Sequence, residues 1–359
     1  FNSNTSGLCS AIGAANISPG DEVIVTPYSM SATATAILGY QGIPVFADID
    51  PKTFCLDPKQ IIKKINKRTR AIMVTALFGH PSDIDNIIKI AKKYNLVVIE
   101  DAAQAPGAVY KNKIIGSKAD MTVFSLNVHK HIHSGEGGMV TTNSKKFAEK
   151  LQLIRNHAES VVEDKKQRDL VNCVGYNLRL TEIQAVIAIE QLKKLPKLLS
   201  QRIQNADYLS KKLSKIPGIS PAYVMQDCVH VYYVQPFLIN EKKLGISRNK
   251  FIDAVSKELP TAEDRPEGRL ISCGFVKPLY YLPIFQKKIA FGNKNWPFSY
   301  DKISMKVKYT KGLCPIAEKI ENEEIFINDF IRPPANLKDM QDVVRAFYKV
   351  YENLNELSS

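Results

Sequence analysis

Between residues 22 and 142, short apolar runs and helical stretches take turns, and this alternation limits the possible folds more than any other property of the chain. Apolar runs at 22–26, 44–48, 71–75, 96–100, 121–125 and 139–142 are separated by helical patterns near 31–40, 57–64 and 83–94, with Pro27, Pro51, Pro81 and Gly79 as punctuation. Short strands interleaved with helices build βαβ units, which place parallel strands in one sheet and helices on its faces. The expectation is an α/β fold whose large domain holds a mostly parallel sheet sandwiched by helices.

A long helical stretch covers 181–213, and Pro196 is expected to kink or break it, because proline has no N–H to donate and its ring crowds the preceding turn. Beyond it, 229–238 reads as a strand, 248–258 as a helix and 337–353 as a closing amphipathic helix. This divides the chain into a large domain, 1–205, and a smaller α+β C-terminal domain, 206–359. A length of 359 residues with 45% hydrophobic content suits two such cores. The chain opens at Phe1, so a native N-terminal segment is expected to lie outside this numbering.

Composition narrows the setting. No apolar run approaches a bilayer span. The six cysteines are far apart and form no Cys-x-x-Cys pair, which fits a reducing cytoplasm better than a disulfide scaffold. The net charge of +13, from 49 Lys and Arg against 36 Asp and Glu, raises the possibility of nucleic acid, a membrane surface or an anionic small substrate. The lysines are dispersed along helical stretches such as 61–70 and 191–197, however, and no basic block interleaves with aromatics. Nucleic acid and membrane are therefore not expected partners.

Three segments carry chemistry. In 124–138 (FSLNVHKHIHSGEGG), Lys130 lies in a loop between a strand and a glycine-rich turn. Burial and nearby cations can lower a lysine's pKa enough to form a Schiff base, although most lysines are simply solvated. In 97–104 (VVIEDAAQ), an apolar strand ends in an acidic pair at the carboxyl edge of the sheet, where ligands bind in open α/β folds. Asp101 there could keep a ring nitrogen protonated or could merely cap the following turn. In 2–7 (NSNTSG), hydroxyl residues precede a helical stretch, whose free N–H groups and dipole suit either a phosphate or ordinary capping.

In order and spacing these segments resemble the DegT-type family of sugar aminotransferases, a branch of the fold-type I pyridoxal-phosphate (PLP) enzymes. Pro-Gly-Asp-Glu-Val-Ile stands at 19–24, Glu-Asp-Ala-Ala-Gln at 100–104, and Ser125 is followed by Lys130 and by Gly-Glu-Gly-Gly at 135–138. Gly-Tyr-Asn-x-Arg-x-Thr-Glu-Ile-Gln-Ala occupies 175–185 and Cys-Pro-x-Ala-Glu 314–318, so the resemblance spans almost the whole chain.

The resemblance implies that Lys130 carries PLP as a Schiff base and shuttles the proton. It further implies that Asp101 pairs with the pyridinium nitrogen, Gln104 meets the ring hydroxyl side, and Thr5, Ser6 and Ser125 hold the phosphate. Asn177 would reach the phosphate held by a second subunit, making the enzyme a homodimer with shared sites. The implied reaction moves an amino group from glutamate to a keto-sugar, such as a nucleotide-linked sugar or a sugar acid. Lipopolysaccharide, capsule or antibiotic sugar synthesis are the usual settings.

Several positions depart from the family pattern. Met30 stands where an aromatic residue commonly stacks on the ring, and a thioether can cover the same face. Asn4 replaces the glycine of the phosphate loop and is expected to tolerate a left-handed backbone. Tyr280 falls where many members carry His and is expected at the sugar pocket. His129, His131 and His133 suggest a metal site, but two of them bracket Lys130 and no carboxylate or cysteine completes a ligand set, so lining the substrate pocket is preferred. His157 either contacts substrate or ends a helix. The alternatives are a PLP-dependent sugar dehydratase, which carries His in place of the lysine, and a non-catalytic regulator of the same fold, which normally adds a DNA-binding domain.

Overall fold

The computed structural model describes residues 1–158, 169–260 and 269–357. Its main sheet has six strands in the order β2-β1-β3-β4-β7-β8. These are β1 (Glu22–Val25), β2 (Ile43–Phe46), β3 (Thr69–Thr75), β4 (Val97–Asp101), β7 (Met121–Ser125) and β8 (Gly138–Thr141). All neighbours run parallel except β7 and β8, which pair antiparallel from Thr122 opposite Thr141 to Ser125 opposite Gly138. Each of the six strands expected between residues 22 and 142 is present within two residues of its sequence-based limits.

Helices α1 (Asn4–Ala14), α2 (Ser31–Gly39), α3 (Pro58–Lys64), α4 (Ile84–Tyr94) and α5 (Lys145–Arg155) accompany this sheet. β1, β3 and β4 are buried almost throughout, as strands covered on both faces must be. One core unites α1, α2 and one face of the sheet through Leu8, Ile12, Ile37, Val25 and Ile99, and a second fills the α3 and α4 side through Ile24, Ile61, Ile72 and Ile87. The chain visits β2 on one side of β1 and then returns to β3 on the other. Such a reversal opens a crevice at the carboxyl ends of the strands.

Helix α6 (Glu182–Leu213) leads away from the large sheet, opened by a capping box between Thr181 and Gln184. Contrary to expectation, it continues through Pro196. The acceptor that loses its partner is the carbonyl four residues earlier, on Leu192. That residue is 54% exposed, so water can satisfy the carbonyl.

The expected strand at 229–238 also resolves differently. A small sheet takes its start, with β5 (Val109–Tyr110), β6 (Lys113–Ile114) and β10 (Cys228–Val229) in the order β10-β5-β6. A four-stranded antiparallel sheet takes its end, in the order β12-β13-β11-β9, built from β9 (Ile219–Pro221), β11 (Gln235–Ile239), β12 (Ile271–Cys273) and β13 (Ile325–Asn328). Between them Tyr232 has a left-handed backbone with φ 48°, which no continuous strand allows.

The four-stranded sheet and the helices Arg248–Lys257 and Leu337–Glu352 enclose a separate core containing Leu209, Phe251, Met340 and Phe347, with Phe237 and Phe326 stacked at 5.1 Å. Residues 279–320 return to the first core, where Phe285, Phe298 and Tyr309 pack near Phe46. Among the described residues no helix is long and apolar enough to cross a membrane.

Successive residues of a strand face opposite sides, so Glu100 and Asp101 at the end of β4 enter different environments. Glu100 lies on the α4 side and accepts a hydrogen bond from the Thr122 hydroxyl at 3.1 Å. Complete burial pushes its carboxyl up to about 7. A carboxyl whose pKa is raised on folding destabilises the protein as pH climbs from the unfolded value near 4.5 through 7. Glu100→Gln should therefore match the wild type in urea unfolding near pH 4.5 and exceed it by up to about 3 kcal/mol above pH 8, because the amide oxygen still accepts from Thr122 and carries no charge. Equal pH profiles would show that Glu100 is not a buried acid.

Candidate active site

Asp101 is the last residue of β4 and only 3% exposed. Burial raises its pKa, and the groups around it oppose the shift. The Thr33 hydroxyl donates to Oδ2 at 2.7 Å, the Ala103 N–H donates to Oδ1 at 3.1 Å, and the Asn4 amide donates to Oδ1 at 3.4 Å. The charge of Lys130 adds a further stabilising influence on the carboxylate. Thr33, in the first turn of α2, is itself tied to Ser29 at 2.9 Å, which fixes its hydroxyl.

The N-terminus of α1 closes one end of the site. Ser3 caps the helix by accepting from the Ser6 N–H at 3.1 Å, and the N–H groups of Asn4 and Thr5, in the first turn, have no intrahelical acceptor. Asn4 is helical and lacks the positive φ expected for it. Its value lies in the side chain, which bridges Asp101 and the Val123 carbonyl at 3.4 Å each. Thr5 is exposed at the helix start, and Ser6 hydrogen-bonds Ser3 at 2.8 Å.

Two close approaches press α1 against the sheet. A Cβ on Gly7 would lie 2.7 Å from Val123 Cγ1, and one on Gly138 would lie 2.3 Å from the Ser3 carbonyl oxygen. Phe1 exchanges both backbone hydrogen bonds with Gly138, at 2.9 and 2.8 Å, so β8 and the start of the chain are locked together.

Lys130 sits in the 126–137 loop, which closes on itself through Leu126 N–H to the Gly137 carbonyl at 2.8 Å and Ser134 N–H to the Leu126 carbonyl at 2.9 Å. Ser125, at the foot of this loop, is buried and accepts from the Asn127 N–H at 3.3 Å. The Asn127 side chain accepts from the His129 N–H at 3.1 Å and donates to Glu136 at 2.7 Å. The Lys130 Nζ lies 4.4 Å from the centre of the Tyr233 ring.

The other expected residues occupy varied places. Gln104 is buried and its side-chain oxygen accepts from the Phe78 N–H at 2.7 Å. Met30 is 62% exposed beside α2, which leaves its thioether free to meet a ligand. Asn177 is exposed on the surface beside Tyr176.

His131 is fully enclosed. Burial, then the Arg202 charge, hold its pKa well below the ordinary value, so it is neutral. Its Nε2 lies 2.9 Å from the Val231 carbonyl, which can only accept, so Nε2 carries the proton and Nδ1 remains a buried acceptor without a partner. His133 also has a buried Nδ1 without a partner, whereas His129 is partly exposed. The three imidazoles do not converge, and no group of potential metal ligands forms among the described residues.

Tyr280 departs from its expected place at the sugar pocket. It has no exposed surface and its hydroxyl donates to Glu318, with Phe46 and Tyr281 against its ring, so it anchors the short helix Pro315–Lys319 to the core. His157 follows α5 in a left-handed conformation, φ 59°, with its N–H on the Tyr176 carbonyl at 3.1 Å.

Thr33, the Asn4 side chain, Tyr233 and Arg202 were not legible as site residues. Thr33 lies 68 positions from Asp101, and Tyr233 more than 100 from Lys130.

A buried carboxylate with fixed donors, a lysine within its field and a helix N-terminus stand together at the carboxyl ends of the strands, and the family model that matches this chain covers residues 1–288. The chain belongs to the DegT/DnrJ/EryC1/StrS aminotransferase family. As a member it is a sugar aminotransferase, and the enzymes of this family depend on PLP.

Among relatives, it is 37% identical over 268 residues to the GDP-perosamine synthase of Caulobacter vibrioides, which covers 74% of this chain and 70% of that one. It is 39% identical over 347 residues to a protein of Geobacillus stearothermophilus named pleiotropic regulatory protein, covering 96% and 82% respectively. Of solved structures, an aminotransferase from Psychrobacter cryohalolentis superposes with a TM-score of 0.83 at 27% identity, over 99% of this chain and 87% of that one. The Helicobacter pylori aminotransferase involved in pseudoaminic acid biosynthesis superposes with a TM-score of 0.77 at 27% identity, over 98% and 86%.

Two of the three glycines at 135–138 should respond differently to substitution. Gly135 has φ 83° with open space around it, so Gly135→Ala should cost about 1 to 2 kcal/mol of strain. Gly138→Ala drives a methyl group into the Ser3 backbone and should cost more than about 3 kcal/mol in urea unfolding. Similar losses at both positions would show that β8 and α1 can separate.

Proposed function

We propose that this family member is a PLP-dependent aminotransferase that moves an amino group from glutamate to an anionic keto-sugar, a nucleotide-linked sugar or a sugar acid. The observation that carries the reading is the buried Asp101 carboxylate, held by Thr33 and Asn4 and stabilised by the Lys130 charge. Bound PLP supplies the electron sink that lets the donor's α-carbon give up its proton. Asp101 acts from the strand end by remaining ionised and holding a ring N–H in place. Lys130 is the covalent anchor, and its freed amine takes the proton from the donor carbon and returns it to the product carbon.

Thr5, Ser6 and the open N–H groups at the start of α1, together with Ser125, suit the phosphate. Gln104 would meet the ring hydroxyl side and Met30 would cover a ring face, with His129 and His133 on the acceptor side and the enclosed His131 behind them. Lys130 opposes the dehydratase reading, and the presence of Lys130 within the field of the buried Asp101 favours a catalyst over a non-catalytic regulator. The six free cysteines suit a cytoplasmic enzyme.

The proposal includes a homodimer. Ile183, Val186 and Ile187 on α6 are 76%, 60% and 42% exposed, and Val174 and Tyr176 beside Asn177 are 58% and 48% exposed. Apolar surface of this kind marks a contact between proteins, and covering it with a second copy would bring Asn177 towards the partner's phosphate site.

Glutamate should bleach the visible band of the PLP-loaded protein, and an anionic keto-sugar should restore it; glutamine serves as the competing donor. Lys130→Ala should lower amino transfer by roughly 10³-fold or more, and Asp101→Asn by at least about 10²-fold. Undiminished turnover by either variant would remove that residue from its role. Replacing Ile183 and Val186 together by Asp should yield monomers in sedimentation with reduced turnover, whereas an unchanged dimer would place the interface elsewhere.

A further inference from the structure

The segment 230–234 forms no strand because its backbone is engaged elsewhere. Val231 donates its N–H to the Gly79 carbonyl at 3.0 Å and Tyr233 donates to the Phe78 carbonyl at 2.6 Å. The accepting turn has left-handed residues at Phe78, φ 58°, and Gly79, φ 96°. A Cβ on Gly79 would lie 2.8 Å from the Tyr232 nitrogen, so this approach requires glycine. Gln104 holds the turn through the Phe78 N–H, and Phe78 is wedged between Tyr28, Phe54 and Phe275. From the opposite side Arg202 of α6 donates to the Tyr232 and Tyr233 carbonyls at 2.9 and 3.0 Å.

Tyr233 is thus fixed through its backbone by two separate elements, and its ring is presented to cations. Lys130 Nζ lies 4.4 Å and the Arg332 guanidinium 5.5 Å from the ring centre, with Arg332 held by Asp329 at 2.5 Å. We infer that Tyr233 is a positioning residue of the reaction, whose ring face receives the Lys130 ammonium whenever that lysine is not bonded to the cofactor. The inference rests on the role of Lys130 proposed above.

The choice of an aromatic group has a chemical reason. A lysine ammonium on a four-carbon stem needs a fixed resting place if it is to stay near the reacting carbon. A carboxylate at this position would hold the proton tightly. A ring face attracts the ammonium and offers no basic atom along that direction, so the proton can still leave. The charged groups that face this loop from other elements are the Asp101 carboxylate of β4 and the Arg202 and Arg332 guanidinium groups. The adjacent His131 is uncharged, and His129, His133, Glu136 and Tyr233 are the other titratable groups on or against the loop.

The test is pH-dependent acetylation of Lys130 in the cofactor-free protein, followed by mass spectrometry, in the wild type, Tyr233→Phe, Tyr233→Leu and Tyr233→Met. Without the ring, the neutral amine should appear at lower pH, so Leu and Met should label Lys130 about 3- to 10-fold faster at pH 7.5. Phe should stay within about twofold of the wild type, and solvated lysines such as Lys89 should be unchanged in all four proteins. In the loaded enzyme, Leu and Met should lower kcat with little change in the donor KM, and Phe should restore it.

Identical Lys130 labelling in wild type, Leu and Met would overturn the inference. Two ring-free variants guard against one that fails to fold. Because labelling is read without cofactor, its failure is distinct from a failure of the aminotransferase reading, which is judged by Lys130→Ala.

Discussion

The structure depends on holding a carboxyl group, that of Asp101, where water scarcely reaches. Asp101 ends β4 beneath the helices, and isolated burial would favour its neutral form. The fold supplies a hydroxyl from α2, an amide from the first turn of α1 and a cation from the loop after β7. They come from three separate segments: the helix before β1, the β1–β2 crossover and the connection between β7 and β8. The sheet order, the reversal between β2 and β3 and the tight seating of α1 on β7 are therefore conditions for holding one carboxyl group. Its neighbour Glu100, one residue away on the other face, lacks any such cation and titrates near neutrality.

What could be read from the sequence follows the range of the interactions. The parallel strands were legible because a strand buried on both faces must be apolar along its length, and the Glu-Asp-Ala-Ala-Gln and Gly-Glu-Gly-Gly runs were legible because their spacing is local. Asn4 shows the limit. Its replacement of glycine suggested a backbone conformation, but its contribution is a side-chain bridge to Asp101 that no local pattern announces. Pro196 and the strand at 229–238 misled for related reasons. Local propensity was overruled in one case by solvent access to a freed carbonyl and in the other by hydrogen bonds to a turn 150 residues away.

Tyr280 illustrates how a family pattern can locate a residue without revealing its job. At its place in the pattern, hydrogen bonding to Glu318 and packing on Phe46 put the side chain in the core. The histidines around Lys130 are more varied than their alternate spacing suggests. One is enclosed and neutral with a vacant acceptor nitrogen, and another is partly open to solvent.

The docking of the 230–234 segment on the Phe78–Gly79 turn has a consequence for access to the site. Hydrogen bonds between main chains cannot slide as side-chain contacts can, and these are reinforced by Gln104 on one side and Arg202 on the other. A seam stitched in this way opposes a hinge-like swing of the 230–234 segment away from the Phe78–Gly79 turn. Any opening near Lys130 then falls to side chains such as Val128, 51% exposed in the same loop, and not to separation of these two backbone segments.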